Sequence, residues 1–293
     1  MTNLKPIDQP NQAPRSLNVD SNLIILIPLL LVAGAVGGLL AGLLGVGGGI
    51  VLVPILYHIY TGLGMSAELA MPLSVGTSLS TIIFTSLMSA RSHYRRGNID
   101  LELIRRWALW IIVGVMLGTT LGSIVPGATL KTLFGGLLTI VALHMFWTVL
   151  RKPRLADQLP SHPIQSAIAT GVGSLASMLG IGGGTLVVPI LNLFDYPIHR
   201  AVGSASLVGF IISVPATLGY IYSGWHVPNL PVGSTGYVNW LAFALLVPAT
   251  MSFAPLGARL CHRLDVPRLK QVFSVFLLLI GLKMLGLLPG LSG

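Results

Sequence analysis

Charge is scarce in this sequence. Only 9% of its 293 residues are Asp, Glu, Lys or Arg, against about 25% in an ordinary soluble domain, while 53% are hydrophobic and the mean hydropathy is +0.84. A water-soluble fold has no way to hide that much apolar surface. Cysteine is nearly missing too: Cys261 alone excludes an internal disulfide and any multi-cysteine metal site. The eight acidic residues, Asp8, Asp20, Glu68, Asp100, Glu102, Asp157, Asp195 and Asp265, fall in tails, loops or near the ends of apolar runs. Pathways for cations and proton relays carry carboxylates at mid-membrane, so a metal ion or organic cation is a poor candidate substrate and an anion a better one. HExxH, GxSxG and P-loop motifs are missing, as are paired carboxylates near the apolar core, so neither an enzyme, a cofactor nor a metal is expected. The net charge of +9 would suggest nucleic acid in a soluble protein. Here the basic residues sit at the ends of apolar runs, where membrane topology accounts for them, and no nucleic-acid partner is expected.

Ten apolar runs fill the chain, at about 23–44, 47–60, 70–90, 107–125, 130–150, 164–180, 184–194, 201–222, 238–258 and 269–288. A helix needs about 20 apolar residues to cross a bilayer. The runs lack the period of two that a barrel strand shows, which leaves a helical bundle. The second and seventh runs are too short to cross at about 1.5 Å per residue, and read as half-helices or re-entrant arms. Residues 1–22, with Pro6, Pro10 and Pro14, read as an irregular tail; Lys5 and Arg15 are interleaved with Asp8 and Asp20, unlike a cleaved signal.

The sequence says the same thing twice. Gly45-Val46-Gly47-Gly48-Gly49, followed by Val53-Pro54-Ile55-Leu56, is echoed by Gly180-Ile181-Gly182-Gly183-Gly184, followed by Val188-Pro189-Ile190-Leu191. Val75-Gly76-Thr77-Ser78 pairs with Val202-Gly203-Ser204-Ala205-Ser206, and Leu121-Gly122 with Leu256-Gly257, in the same order. The expected organisation is an N-terminal tail to residue 22, a first transmembrane repeat over 23–150, a basic linker over 151–163, a second repeat over 164–288, and a C-terminal tail. Lys and Arg are absent between Ser16 and Ala90 and between Ala201 and Ala258, and cluster at Arg91, Arg95, Arg96, Arg105 and Arg106, at Arg151-Lys152-Pro153-Arg154, and between Arg259 and Lys270. Cytoplasmic loops carry the basic excess, so equivalent loops of the two repeats face opposite sides and both termini are predicted outside. Five elements per half make an inverted-topology repeat. Matching interrupted segments in the two halves of such a repeat point to the binding site of a secondary transporter.

Three consecutive glycines are poor helix interior, since each costs about 1 kcal/mol relative to alanine. They mark a break, after which a new helix presents unpaired N–H groups and positive potential to an anion. The candidate substrate-binding residues are therefore Gly45, Gly47, Gly48, Gly49, Gly180, Gly182, Gly183 and Gly184, with the hydroxyls of Thr77, Ser78, Ser204 and Ser206. Small residues and hydroxyls also serve tight helix packing and interhelical hydrogen bonds, and both readings stand at this point. His144 and Lys283 lie within apolar runs and pair as Leu143-His144-Met145 and Leu282-Lys283-Met284; they either snorkel to the interface or take part in gating or proton coupling. Arg91 and His93 either mark topology or draw an anion to the cytoplasmic mouth.

The doubled glycine motif with its Val-Pro-Ile-Leu, the Val-Gly-Thr-Ser stretch at 75–78 and the Arg-Arg-Gly-Asn-Ile-Asp turn at 95–100 resemble the sulfite exporter TauE/SafE family of bacterial inner-membrane transporters. The resemblance runs from about residue 30 to 288. It implies export of a small sulfur-containing anion (sulfite, thiosulfate, sulfoacetate or another organosulfonate) and carries the glycines at 45–49 and 180–184 over as the family's hallmark. Gly-Ser-Ala-Ser at 203–206, where the family tends to Gly-Thr-Ser, and the long uncharged loop at 224–236 depart from the pattern. The expectation is an all-α polytopic membrane transporter working by alternating access, with the lipid bilayer, the anion and a coupled proton or other ion as partners. A passive anion channel and a membrane scaffold or enzyme of sulfur metabolism are the alternatives.

Overall fold

A computed structural model describes residues 19–44, 48–150, 155–156, 158–261 and 266–288. The fold is all-α. The described residues form ten helices in chain order: α1 (Val19–Leu44), α2 (Gly49–Gly62), α3 (Ala67–Arg95), α4 (Leu101–Ile124), α5 (Gly127–Leu150), α6 (His162–Leu179), α7 (Gly184–Leu193), α8 (Ile198–Ser223), α9 (Trp240–Cys261) and α10 (Val266–Met284). Each matches one apolar run of the sequence. α1 starts at Val19, inside the stretch expected to be irregular, because no proline follows Pro14 until Pro28 within the helix. The loop before α9 holds a small antiparallel hairpin, β1 (Ser234–Thr235) and β2 (Val238–Asn239), with Ser234 opposite Asn239.

Among the described residues five helices are long and apolar enough to cross a membrane: α3, α4, most of α5, α8 and much of α9. α3 and α8 are the most buried of these. α4 and α5 instead turn large apolar side chains outward, including Leu109, Met116, Ile124 and Ile140. An exposed apolar belt of that extent is what a lipid-facing helix carries. The protein is a multi-pass membrane protein.

Helices of one half pack on helices of the other. α1 lies against α9 and α6 against α4, α3 against α8, and α5 against α10. Exchanging the halves (α1 for α6, α3 for α8, α4 for α9, α5 for α10) maps this set of pairs onto itself. The corresponding helices α3 and α8 run antiparallel: Gly76 lies beside Tyr220, and Gly209 beside Ser86. α5 and α10 do the same, with Gly135 beside Met284 and Gly281 beside Thr139.

Glycines set how closely these pairs approach. On the α1–α9 contact a Cβ at Gly38 would come within 2.7 Å of the Thr250 Cα. On the α4–α6 contact Cβ atoms at Gly114 and Gly118 would overlap the carbonyl oxygens of Thr170 and Ser174, and one at Gly173 the carbonyl of Ile111. Close backbone approach through small residues supplies association between helices in lipid, where burial from water is absent. By contrast, a Cβ on Gly171 of α6 meets nothing within 4 Å. Gly114→Ala should therefore lower the thermal midpoint of the purified protein, at a cost of about 1–3 kcal/mol for forced overpacking, whereas Gly171→Ala should leave it unchanged or slightly raised. A thermal-unfolding series in detergent checks the contrast.

Candidate functional site

Both glycine motifs end one helix and begin another. Gly180 closes α6 in the left-handed region at φ +70°, and the next residue, Ile181, donates its N–H to the Ala176 carbonyl at 3.0 Å. Gly48, at φ +77°, precedes α2 and accepts from the N–H groups of Val51 and Leu52. Only glycine takes such a φ without strain. Gly183 is different: its φ is −52°, and the demand there is space, since a Cβ would stand 2.8 Å from Val208 and 2.9 Å from the Gly209 nitrogen. Gly45 and Gly47 lie outside the described residues.

The two breaks meet. A Cβ on Gly49 would come within 2.7 Å of the Gly180 carbonyl oxygen, 3.1 Å of the Ile181 Cα and 2.6 Å of the Ile82 side chain. Ser78 donates its hydroxyl to that same Gly180 oxygen at 2.9 Å. Ser78 and Ile82 lie halfway along α3, and Val208 and Gly209, against Gly183, halfway along α8. The glycine junction therefore sits at the middle depth of the bundle's most buried helices. Gly48, Gly49 and the run Gly180, Gly182, Gly183 and Gly184 are all buried. α2 and α7 begin here with 14 and 10 residues, roughly 21 and 15 Å long, and direct the positive ends of their dipoles into the junction.

The hydroxyls expected beside the breaks do two kinds of work. Thr77 accepts the backbone N–H of Asn239 at 3.0 Å, and Ser204, its counterpart in the second repeat, accepts the backbone N–H of Asp100, also at 3.0 Å. The residue before each is a glycine pressed on the loop backbone: Gly76 on the Tyr237 carbonyl, Gly203 on that of Asn98. Asn239 then accepts from the Ala242 N–H at 2.8 Å, and Asp100 from the Glu102 and Leu103 N–H groups at 3.0 Å, each starting the next helix. Both side chains are residue types that favour helix N-termini. The same latch is built twice, tying α3 to the α8–α9 loop on one side of the glycine junction and α8 to the α3–α4 loop on the other. Ser206 instead donates back to the Gly203 carbonyl at 2.6 Å. Ser80 and Thr81 likewise bond back to the Thr77 carbonyl, at 2.7 and 3.1 Å.

The comparison with known proteins agrees with this architecture. The sulfite exporter TauE/SafE family matches residues 30–284. The chain belongs to that family. It is 33% identical to a probable membrane transporter protein of Haemophilus influenzae, over 88% of this chain and 97% of that one. It is 27% identical to the probable membrane transporter protein YunE of Bacillus subtilis, over 89% of this chain and 97% of that one. A probable membrane transporter protein of Methanocaldococcus jannaschii is 29% identical over 92% of this chain and 99% of its own length. No solved structure matches. Membrane transport is thus the coarse function of this TauE/SafE chain.

The candidate gating residues lie away from the glycine junction. Arg91 is exposed at the end of α3, and half-buried His93 has Arg96 and His199 close by. His144 is half-buried on α5. Lys283, half-buried at the end of α10, joins a group that sequence reading missed: it lies near His58 of α2, as does Lys131 of α5, whose Nζ sits 5.6 Å from the centre of the Tyr57 ring. Glu68 of α3 accepts from the Gly127 and Ala128 N–H groups at the start of α5.

Asp100 was also missed as a structural residue. Beyond the latch and cap, its second carboxylate oxygen accepts the Tyr196 hydroxyl from the α7–α8 loop, and Arg200 stands nearby. Partial burial pushes the Asp100 carboxyl up, but the Tyr196 hydroxyl, the Leu103 and Glu102 N–H groups and Arg200 together outweigh it and hold the group below the ordinary carboxylate range. A lowered carboxyl stabilises the fold above its ordinary pKa and loses that contribution as pH falls through the lowered one. Asp100→Asn, which copies Asn239, should therefore lower the thermal midpoint at pH 7 and remove the part of its fall below about pH 4 that this carboxyl causes. Thermal midpoints of wild type and variant between pH 3 and 7 check this.

Proposed function

We propose that this TauE/SafE chain is a secondary transporter that carries a small sulfur-containing anion, such as sulfite, thiosulfate or an organosulfonate, outward across the bacterial inner membrane. The observation that carries the reading is the meeting of the two glycine breaks, from which the half-length helices α2 and α7 start, at the middle of α3 and α8. Two helix dipoles and close backbone approach favour an anion there, and among the described residues no carboxylate falls at that depth. The sulfur chemistry rests on the family's description. A neutral site of N–H and O–H donors holds an oxyanion without a fixed counter-charge, so release at the far side stays easy.

Alternating access fits the doubled latch. The Thr77–Asn239 and Ser204–Asp100 contacts flank the glycine junction, the first one residue from Ser78 on α3 and the second four residues before Val208 on the antiparallel α8. Opening one while the other holds would expose the junction to one side at a time, which is how inverted-repeat carriers work. The antiparallel pairing of α3 with α8 and of α5 with α10 supports an inverted repeat. The concentration of basic residues favours an α3–α4 loop in the cytoplasm and both termini outside.

Three measurements test the proposal. Reconstituted into liposomes, the protein should show saturable flux of sulfite, thiosulfate or sulfoacetate; folded protein that moves none of them removes the sulfur-anion assignment. Gly48→Leu and Gly183→Leu should abolish that flux while the protein still inserts and purifies as a monodisperse species, and wild-type flux in both would refute the site. Single cysteines at Ser92 and Val232, in a Cys261→Ser background, should label from opposite faces of the membrane; labelling from one face would exclude the inverted threading.

A further inference from the structure

Two lysines stand where membrane topology gives them no part. Arg91, Arg95 and Arg96 crowd one end of α3. Lys131 and Lys283 lie at the other, where Glu68 near the start of α3 bonds the first N–H groups of α5. Lys131 comes one turn before Gly135 on α5, and Lys283 immediately precedes Met284 on α10; Gly135 packs against Met284, so this contact gathers both lysines at one end of the helix pair. His58 of α2 is within range of the charge of each. On the threading proposed above this is the outer end, and among the described residues Lys131 and Lys283 are the only Lys or Arg there.

The protein supplies these cations with no counter-charge of their own. Among the described residues neither lysine forms an ion pair or a hydrogen bond, and the Lys131 Nζ rests over the Tyr57 ring, 5.6 Å from its centre. The neighbouring carboxylate is that of Glu68, whose oxygens already accept the Gly127 and Ala128 N–H groups. His58 donates its Nδ1–H to the Pro54 carbonyl at 2.7 Å. A helix C-terminus favours a cation, which accounts for Lys283 in the last turn of α10, but Lys131 near the start of α5 has no such support. Both side chains are half-buried, neither sealed in nor fully in water. Like charges gathered there repel, and an anion between them relieves the repulsion.

The position also suits an anion in transit. α2 starts at the glycine junction with Gly49, and His58 follows nine residues on, roughly 14 Å along the helix. In sequence, the spacing that pairs His144 with Lys283 pairs Lys131 with Lys270, so both repeats carry a basic residue at both places. We propose that Lys131 and Lys283, beside His58, form an oxyanion site at the outer ends of α5 and α10. Its ligand presents acidic oxygens on sulfur or phosphorus, which the transported anion on its way out and the phosphate of an outer-leaflet lipid head group both do. As a station for the transported anion the site rests on the proposed function; as a lipid-phosphate site it does not. Lysine, a compact charge on a flexible stem, suits a ligand that must also leave.

The test compares wild type, the Lys131→Gln/Lys283→Gln pair and the charge-keeping Lys131→Arg/Lys283→Arg pair. Each is followed by thermal midpoint in detergent against rising sulfite, by sulfite flux in liposomes, and by phosphatidylglycerol retained in native mass spectra. If the transported anion uses the site, the Gln pair should need about tenfold more sulfite for half of the stabilisation and for half-maximal flux, as loss of a charge-assisted contact would cause, while the Arg pair keeps the wild-type values. If lipid phosphate fills it, the sulfite response stays at wild type and the Gln pair alone loses phosphatidylglycerol. Wild-type sulfite response and lipid retention in the Gln pair, or equal losses in both pairs, overturn the site and leave the sulfur-anion carrier intact. A wild-type protein that neither responds to nor moves sulfite, thiosulfate or sulfoacetate overturns the carrier; the site then stands or falls on the phosphatidylglycerol difference alone.

Discussion

A helix that stops inside a bilayer leaves N–H and C=O groups that lipid cannot satisfy, and this protein stops two helices there. The rest of the arrangement follows from that constraint. The Gly180 carbonyl, freed at the end of α6, is met by the Ser78 hydroxyl, and the Ile181 N–H turns back to Ala176. Both require α3 to pass the break at close range with small polar residues. That is why α3 carries Ser74, Thr77, Ser78, Ser80 and Thr81 at full burial, a composition that would be out of place on a helix facing lipid. Central position, hydroxyl content and glycine contacts are one requirement seen three ways.

The two latches convert the same economy of parts into a pair of closures. Hydrogen bonds between helices in membranes contribute about 0.6 kcal/mol on average and at most about 1.7, so neither latch alone locks the bundle. The latches differ in what surrounds them. At the Ser204 latch a carboxylate, Asp100, takes a further bond from Tyr196, and bonds to a charged acceptor are the stronger kind. At the Thr77 latch the corresponding residue is an uncharged Asn239, with Tyr60 beside Thr77. Two related halves thus give two latches of unequal strength.

Much of this was legible in the sequence, because bilayer thickness and helix rise leave few ways to read an apolar run. Each of the ten helices answers to an apolar run, the shortness of α2 and α7 followed from the length of theirs, and three glycines in a row marked where they begin. The echo between residues 45–56 and 180–191 paired the breaks that the structure brings together. What stayed hidden was pairing across long stretches of chain. Thr77 and Ser204 read either as anion-binding hydroxyls or as partners in interhelical hydrogen bonds, and which groups they meet was not legible: each holds a backbone N–H more than 100 positions away. Their partners sit in Asn98-Ile99-Asp100 and Tyr237-Val238-Asn239, which resemble each other too little for an echo to be heard. The hairpin at Ser234 to Asn239 was missed for a related reason, since two-residue strands leave no periodicity.

The exchange of partners between the halves bears on how the chain is made. α1 leaves the ribosome early, but the helix it packs against, α9, begins only at Trp240. At about 5–20 residues per second, α1 waits roughly 10–40 s for that partner. Through that interval the glycine-lined face of α1, with Gly34 and Gly38, has only lipid or the insertion machinery for company. A nascent chain cut after the first repeat would hold correct helices in the wrong society, and quality control in the membrane would meet this protein at its most vulnerable between the fifth helix and the ninth.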